Sequence, residues 1–419
     1  MMQPILSVLI PTRNRAGYVR HAIQSALNIP SERVEVLVSE NHGSDNGYEV
    51  CQSIQDSRLR VYRPDRPLPM HENWEFLLNH ASGEWVTFIG DDDAIMPHAA
   101  DHLQYISDAY PQAEALVSPR ALYFWEGCQE EYGNACMSVR FTDIERWHDS
   151  KADLQSALDQ KINYIDLPQL YSGGFQRRSL IQRVMRSQNG VYFKSVTPDA
   201  YSALMACLHT YRFLEIGVPL SWVGTSPHNA LKTEKASAKD RFQDFFGFHS
   251  DDVLTTHHAL GDMRDATFGM FFYESYLSAF PLTSYKELSM QRMRSVFESA
   301  AVELRKRGKD EVVRAMSKRF GFAIPAEGKR SDSKTLWAKT KREIARASGK
   351  LVRLGRNTPR PKTPQTLLER SGQSHVEFPT ICAADELLSE GYSLWRELGL
   401  GRDRERVDGG AADLQRMAA

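Results

Sequence analysis

Three consecutive carboxylates, Asp91, Asp92 and Asp93, close the apolar run "WVTFIG" at residues 85–90. Adjacent negative charges repel one another unless a cation sits among them. Hard divalent cations such as Mg2+ and Mn2+ prefer carboxylate oxygens, and Mg2+ commonly takes one or two carboxylates with phosphate oxygens of a ligand. Metal-assisted binding of a phosphate-bearing ligand is therefore one chemistry open to the triplet. A solvated acidic turn or helix cap is the other, because Asp is favoured there. If the strand stays extended through the triplet, Asp91 and Asp93 share one side and Asp92 takes the other. His71 and Glu72 begin like a zinc-protease motif, but "HENWE" lacks the second His at the required spacing. The chain has no Gly-rich phosphate loop of the P-loop or dinucleotide type, and no nucleophile elbow.

The elements that must position the triplet are legible around it. "PILSVLIP" and "RVEVLVSE" read as strands, "SRLRVYRP" as a third strand and "GEWVTFIG" as the one that delivers the carboxylates. Between them, "AGYVRHAIQSALN" places Val19, Ala22, Ile23, Ala26 and Leu27 on one helical stripe, "GYEVCQSIQ" reads as a short helix, and "HENWEFLLNHA" presents Trp74, Leu77 and Leu78 on one face. Such alternation predicts a parallel sheet with helices on both faces, with ligands beyond the carboxyl ends of its strands. The regularity weakens over 111–248, where "LYFWEG", "YSGGFQRR" and "NGVYFKSVTPD" suggest long loops facing a substrate. Residues 249–328 read as amphipathic helix, 329–364 as a basic segment and 365–419 as a polar tail with the composition of partial disorder.

Composition excludes several classes. The chain has 419 residues, 42% hydrophobic and 25% charged, with a net charge of -1, which gives no general attraction to nucleic acid. Five scattered cysteines without a Cys-x-x-Cys pair argue against a disulfide framework and a structural zinc site. No apolar run is long enough to span a bilayer, and the N-terminus lacks a signal-peptide pattern, so a cytoplasmic location is expected.

Taken in order, "LSVLIPTRNRAGYVRHAIQSAL", "VEVLVSENHGSDN" and "HENWEFLLNHASGEWVTFIGDDDAIMP" resemble the nucleotide-sugar half, residues 1–110, of a bacterial family 2 glycosyltransferase with the GT-A fold. "GGFQRR" and "YFKSVTPDAYSAL" are similar to its acceptor half, 111–248. The resemblance implies an α/β fold, a Rossmann-type mixed sheet flanked by helices and followed by a helical C-terminal region. It implies nucleotide-sugar contacts from Pro11, Thr12, Arg13, Glu40, Asn73, Asp91 and Asp92. It implies Mn2+ or Mg2+ held by Asp92, Asp93 and His228, although a loop histidine is an equally ordinary reading of His228. Two departures stand out: Glu40 replaces the family's usual aspartate, and the first acid of its Asp-x-Asp-Asp motif falls on Gly90. Asp199 falls where the family has its catalytic base, at a helix start where Asp is also a common cap.

The activity so implied is inverting transfer of a sugar from a nucleotide-diphosphate donor to a hydroxyl of a glycan or lipid-linked acceptor, as in cell-surface polysaccharide synthesis. A non-catalytic nucleotide-sugar or glycan binding protein on the same fold is the alternative. Between Lys329 and Lys362, twelve Lys and Arg stand against two acids. Over 335–356 a thin stripe of Trp337, Ile344 and Leu351 is flanked by this basic face, the pattern of a helix lying on an anionic membrane surface. An ordinary solvated helix packing Trp337 and Ile344 on the domain fits the same pattern. The first reading adds a peripheral site on the inner face of the cell membrane.

Overall fold

The structure is a computed structural model, and it describes residues 3–125, 144–159, 161–226, 268–279, 290–306 and 308–325. The first eighty-odd residues alternate as the pattern requires: β1 Leu6–Thr12, α1 Ala16–Leu27, β2 Val34–Glu40, α2 Gly47–Gln52, β3 Leu59–Tyr62, α3 Met70–Leu78 and β4 Trp85–Phe88. β1 pairs in parallel with both β2 and β4, in a register that sets Thr12 beside Glu40 and Leu9 beside Phe88. The carboxyl ends of the three strands therefore open on one edge. The strands are apolar on both faces. Leu6, Val8 and Ile10 pack with α1, while Leu9 and Leu37 pack with Trp74 and Leu77 of α3. Strands buried on both sides read as near-continuous hydrophobic runs, here broken by a few buried polar residues such as Ser7 and Glu35.

After β4 come β5 Ala94–Ile95, α4 Ala99–Ala109, β6 Ala115–Val117, β7 Arg120–Phe124, β8 Glu145–Asp149, α5 Ser150–Leu158, β9 Gly174–Arg177, α6 Arg178–Ser187, α7 Pro198–His209, β10 Arg212–Ile216 and β11 Ser221–Thr225. The main sheet runs β3-β2-β1-β4-β9-β6-β10-β8, and a smaller one runs β5-β11-β7. β9 is antiparallel to both β4 and β6. One sheet thus crosses the boundary near residue 110, and the two sequence halves are welded through β9. Among the described residues three helices follow, α8 Phe268–Ala279, α9 Met290–Lys306 and α10 Asp310–Phe320, and their apolar residues Phe272, Tyr276, Phe297 and Met316 join the core on the α3 and α7 side.

A buried carboxylate knots the N-terminal strands. Glu35 accepts hydrogen bonds from Ser7 Oγ at 2.6 Å, the Ser82 amide at 2.6 Å and the Gly83 amide at 3.1 Å. Burial of an acid is tolerated only when its oxygens are satisfied in this way. Among the described residues no helix is long and apolar enough to cross a membrane.

Candidate functional site

The carboxylates do not continue the strand. β4 ends at Phe88, and the Asp93 amide turns back to donate to the Gly90 carbonyl at 3.1 Å. The extended geometry that would put Asp91 and Asp93 on one side is thereby replaced by a turn that sends each acid to its own partners. Asp91 accepts from Thr12 Oγ1 at 2.9 Å, and Arg15 Nε stands 3.8 Å away. Asp92 accepts from Ser226 Oγ at 2.6 Å, with Arg15 Nη1 at 3.8 Å. Arg15 Nη1 also donates to Ser226 Oγ at 2.8 Å. The cation that the triplet called for is this guanidinium, delivered by the loop between β1 and α1.

Asp93 is different. It accepts from the Gly90 amide at 2.8 Å, from Ser172 Oγ at 2.6 Å and from the Gly224 amide at 2.7 Å. Both of its oxygens are occupied in bracing β11 and the loop before β9. Two glycines make this possible. A Cβ on Gly90 would lie 2.9 Å from both Asp93 Oδ2 and Tyr171 Oη, and one on Gly224 would lie 1.6 Å from the Asp92 carbonyl oxygen. The position where the resemblance leads one to expect an acid is therefore crowded by the ends of Asp93 and Tyr171, which would have to shift to admit one.

Burial pushes the Asp91 carboxyl well up, Arg15 draws it back, and the neighbouring Asp92 charge raises it further. Asp93 is raised by burial and by Asp92, against its hydrogen bonds. Crowded acids of this kind favour an added cation, because each gains an opposite charge that the protein only partly supplies. Mg2+ needs only one or two protein carboxylates when phosphate completes its shell. Asp92 and Asp91 fit that donor set. No group of three or more His, Cys, Asp or Glu side chains suited to a metal occurs among the described residues. His228 lies outside the described residues, as does 335–356.

The remaining expected contacts line the same edge. Pro11 and Thr12 end β1, and Arg13 opens the loop after it. Glu40 is buried at the end of β2, not a solvated loop acid. Its Oε1 accepts from the Gly43 amide at 2.5 Å, and its Oε2 lies 3.3 Å from Arg63 Nε. Asn73 is buried on α3 and accepts from Ser39 Oγ at 2.6 Å, so its carbonyl end is committed to β2. Asn14 has φ of 55° and accepts from the Ser44 amide at 2.6 Å, which ties the loops after β1 and β2 into one wall.

Asp199 lies in the first turn of α7, where Thr197 is the cap residue and Pro198 the first helical residue. Asp199 is thus not the cap residue itself, and Thr197 in that position makes no side-chain capping bond. Tyr164 Oη donates to Asp199 Oδ2 at 3.0 Å. Burial raises the Asp199 carboxyl, while hydrogen bonds from the first-turn amides and Tyr164, and the charge of Arg120, oppose the rise. Burial, with the nearby charges of Asp93, Asp92 and Asp199, makes the Tyr171 hydroxyl a far weaker acid than an exposed phenol. Tyr171 reaches Gly90 at the acidic turn, and the charge of Asp199 acts on the same phenol.

Arg15, Ser226, Tyr171, Tyr164 and Arg120 were not singled out by motif. Arg15 alone left a signal, being a basic residue two positions past Arg13 in the loop that must face three acids. The aromatic and hydroxyl partners come from loops without periodicity, and only their fold brings them in. Trp125 is similar: its Nε1 donates to the Asp92 carbonyl at 2.8 Å, and its ring meets Tyr18 edge-on at 5.0 Å.

Residues 7–121 match the family model described as Glycosyl transferase family 2. A stretch of 103 residues is 35% identical to the GalNAc(5)-diNAcBac-PP-undecaprenol beta-1,3-glucosyltransferase of Campylobacter jejuni, covering 24% of this chain and 33% of that protein. Another of 104 residues is 23% identical to the glycosyltransferase GlyG of Streptococcus pneumoniae, covering 24% of this chain and 35% of that one. The chain thus spans about a third of the length of the curated relatives it matches. Among solved structures, residues 1–349 of TarS from S. aureus in complex with UDP-GlcNAc align at 15% identity with a TM-score of 0.44, over 78% of this chain and 95% of that one. The stretch that resembles glycosyl transferase family 2, residues 7–121, carries β1 through β6 and the acidic turn.

Proposed function

We propose that the protein transfers a sugar from a nucleotide-diphosphate donor to a hydroxyl of a glycan or lipid-linked acceptor, with inversion at the anomeric carbon. The convergence of Asp91 and Asp92 on Arg15 at the strand ends carries this reading. The wall formed by Thr12, Arg13, Glu40 and Asn73 is the proposed nucleoside side of the donor site. Asp92 and Asp91 would hold Mn2+ or Mg2+, and the ion would neutralise the departing diphosphate. Asp93 serves as the brace that aims them.

Asp199 takes the proton of the acceptor hydroxyl as that oxygen bonds to the anomeric carbon and the bond to the diphosphate breaks on the opposite face. One displacement and one base suffice, and the raised carboxyl makes Asp199 a stronger base than a solvated aspartate. The Campylobacter jejuni relative is named for a glucosyl transfer to a glycan on PP-undecaprenol. A lipid-linked acceptor of that class agrees with the basic segment at 335–356, which would hold the enzyme at an anionic membrane surface. The test is a panel of nucleotide sugars, with and without Mn2+, read by release of nucleoside diphosphate in the presence of lipid-linked glycans. Metal-dependent release with one donor supports the proposal. Binding of a donor without turnover on any acceptor would leave the non-catalytic alternative standing.

A further inference from the structure

We propose that Glu274, on α8, is a positioning residue for the base, acting through the cap of α7; the inference rests on the reading of Asp199 as that base. Glu274 is buried where α8 meets the start of α7. Ser195 Oγ donates to one of its carboxylate oxygens, and Ser278 Oγ donates to the other at 2.7 Å. Ser275 Oγ lies 2.9 Å from Ser195 Oγ and 3.0 Å from Thr197 Oγ1, and the two latter hydroxyls are 3.1 Å apart. Four hydroxyls and one acid thus form a closed cluster between two helices. An apolar contact would serve packing alone without burying an acid.

What the cluster does is visible at Thr197. A threonine in the cap position ordinarily accepts from the amide two or three residues on. Thr197 makes no such bond, because its hydroxyl is engaged by Ser195 and Ser275. Pro198 has no amide hydrogen. The two remaining first-turn amides, of Asp199 and Ala200, instead favour the charged form of the Asp199 carboxylate beside them. The cluster therefore withholds a competitor, and the amides hold the base and stabilise its ionised form. The same helix supports the base from a second side. Phe272 stacks on Tyr164 at 5.4 Å with 14° between the rings, and Tyr164 donates to Asp199. The other groups that face Asp199 are Arg120 and, through its charge, Tyr171, and neither belongs to the cluster.

Breaking the cluster should release Thr197 to take an amide from Asp199 and so raise the acidity limit of the base. In Glu274→Gln, kcat should fall roughly 10-fold with donor KM within about twofold, since the donor half is untouched. The acid limb of the kcat–pH profile should move to higher pH by about half a unit. Ser275→Ala should act in the same direction and keeps the question open should the first variant fold poorly. Adding Thr197→Val to either should return the acid limb toward the parent, because no hydroxyl remains to compete. Unchanged kcat and acid limb in folded Ser275→Ala and Glu274→Gln would overturn the proposal, as would a shifted limb that Thr197→Val does not restore. Asp199→Asn run in parallel separates the two readings: if it turns over normally, the base assignment itself fails. If it is inactive while the cluster variants are normal, only the role of Glu274 fails.

Discussion

Arg15 and Asp92 are joined twice, by an ion pair of 3.8 Å and by Ser226, which accepts from the guanidinium at 2.8 Å and donates to the carboxylate at 2.6 Å. Ser226 lies at the end of β11, 134 residues beyond the acid. The hydroxyl gives Asp92 a fixed orientation without consuming its second oxygen. If that oxygen faces a cation with the donor diphosphate, Asp92→Asn should lower turnover by on the order of 10²–10³ while melting behaviour stays near the parent. Undiminished transfer in EDTA, or in this variant, would count against a metal-bound donor.

Asp199→Asn keeps the shape of the side chain and removes its basicity. Turnover should fall by about 10²–10⁴ with donor affinity preserved. Because burial raises the Asp199 carboxyl, the acid limb of the kcat–pH profile should lie above the pH at which a solvated aspartate titrates. Collapse of donor affinity in the variant would instead assign Asp199 to donor positioning.

Gly224→Ala tests the brace. Its Cβ would meet the Asp92 carbonyl at 1.6 Å, a contact only a backbone shift can relieve. Stability should drop by about 1–3 kcal/mol, and activity should fall with it. Gly17→Ala, where the added methyl meets nothing within 4 Å on a helix, should instead be neutral or gain about 0.5 kcal/mol. Equal melting temperatures for the two variants would refute the close approach.

Two buried histidines on α4 and its cap set an acid limit. Burial pushes His98 down to about 4, and burial with the neighbouring His98 pushes His102 down to about 3. The unfolded chain titrates them near 6.5, so their neutral burial costs nothing above that pH. As pH falls from about 6.5 toward 4, the unfolded state binds protons first and stability is lost, by up to about 1.4 kcal/mol per unit per histidine. Asp91 and Asp93 act in the opposite sense, being raised in the fold, so the comparison must be between variants. Denaturant unfolding of His102→Gln should show a shallower loss between pH 6.5 and 4.5 than the parent. A parallel pair of curves would mean that His102 is not buried neutral.

For the basic segment, vesicle co-sedimentation decides. The full chain should pellet with anionic vesicles at low salt and be released by high salt, whereas a chain ending near Pro325 should stay in the supernatant, each Lys or Arg contributing about 1 kcal/mol near the surface. Identical behaviour of the two would exclude 335–356 as the anchor.

The elements from β1 to β4 were legible because their residues obey a period. Val19, Ala22, Ile23 and Ala26 repeat as a helix must, and the β1, β2 and β4 runs are mostly apolar because both faces are covered. Asp199 at the start of a helix was legible for the same reason, from Pro198 and the pattern after it. Chain periodicity says nothing, however, about where a strand stops. The turn at Gly90 was decided by tertiary contacts with Ser172 and Gly224, and it split a triplet that looks uniform in sequence into two acids facing Arg15 and one brace. Likewise β9 pairs with β4 across at least ninety residues, and it is this pairing that carries Tyr171 and Ser172 to the acids. Residue type and spacing determined which chemistry was available. Long-range hydrogen bonds from loops without any pattern determined which carboxylate is in a position to perform it, because a side chain's partners depend on distances in space that local propensity does not encode.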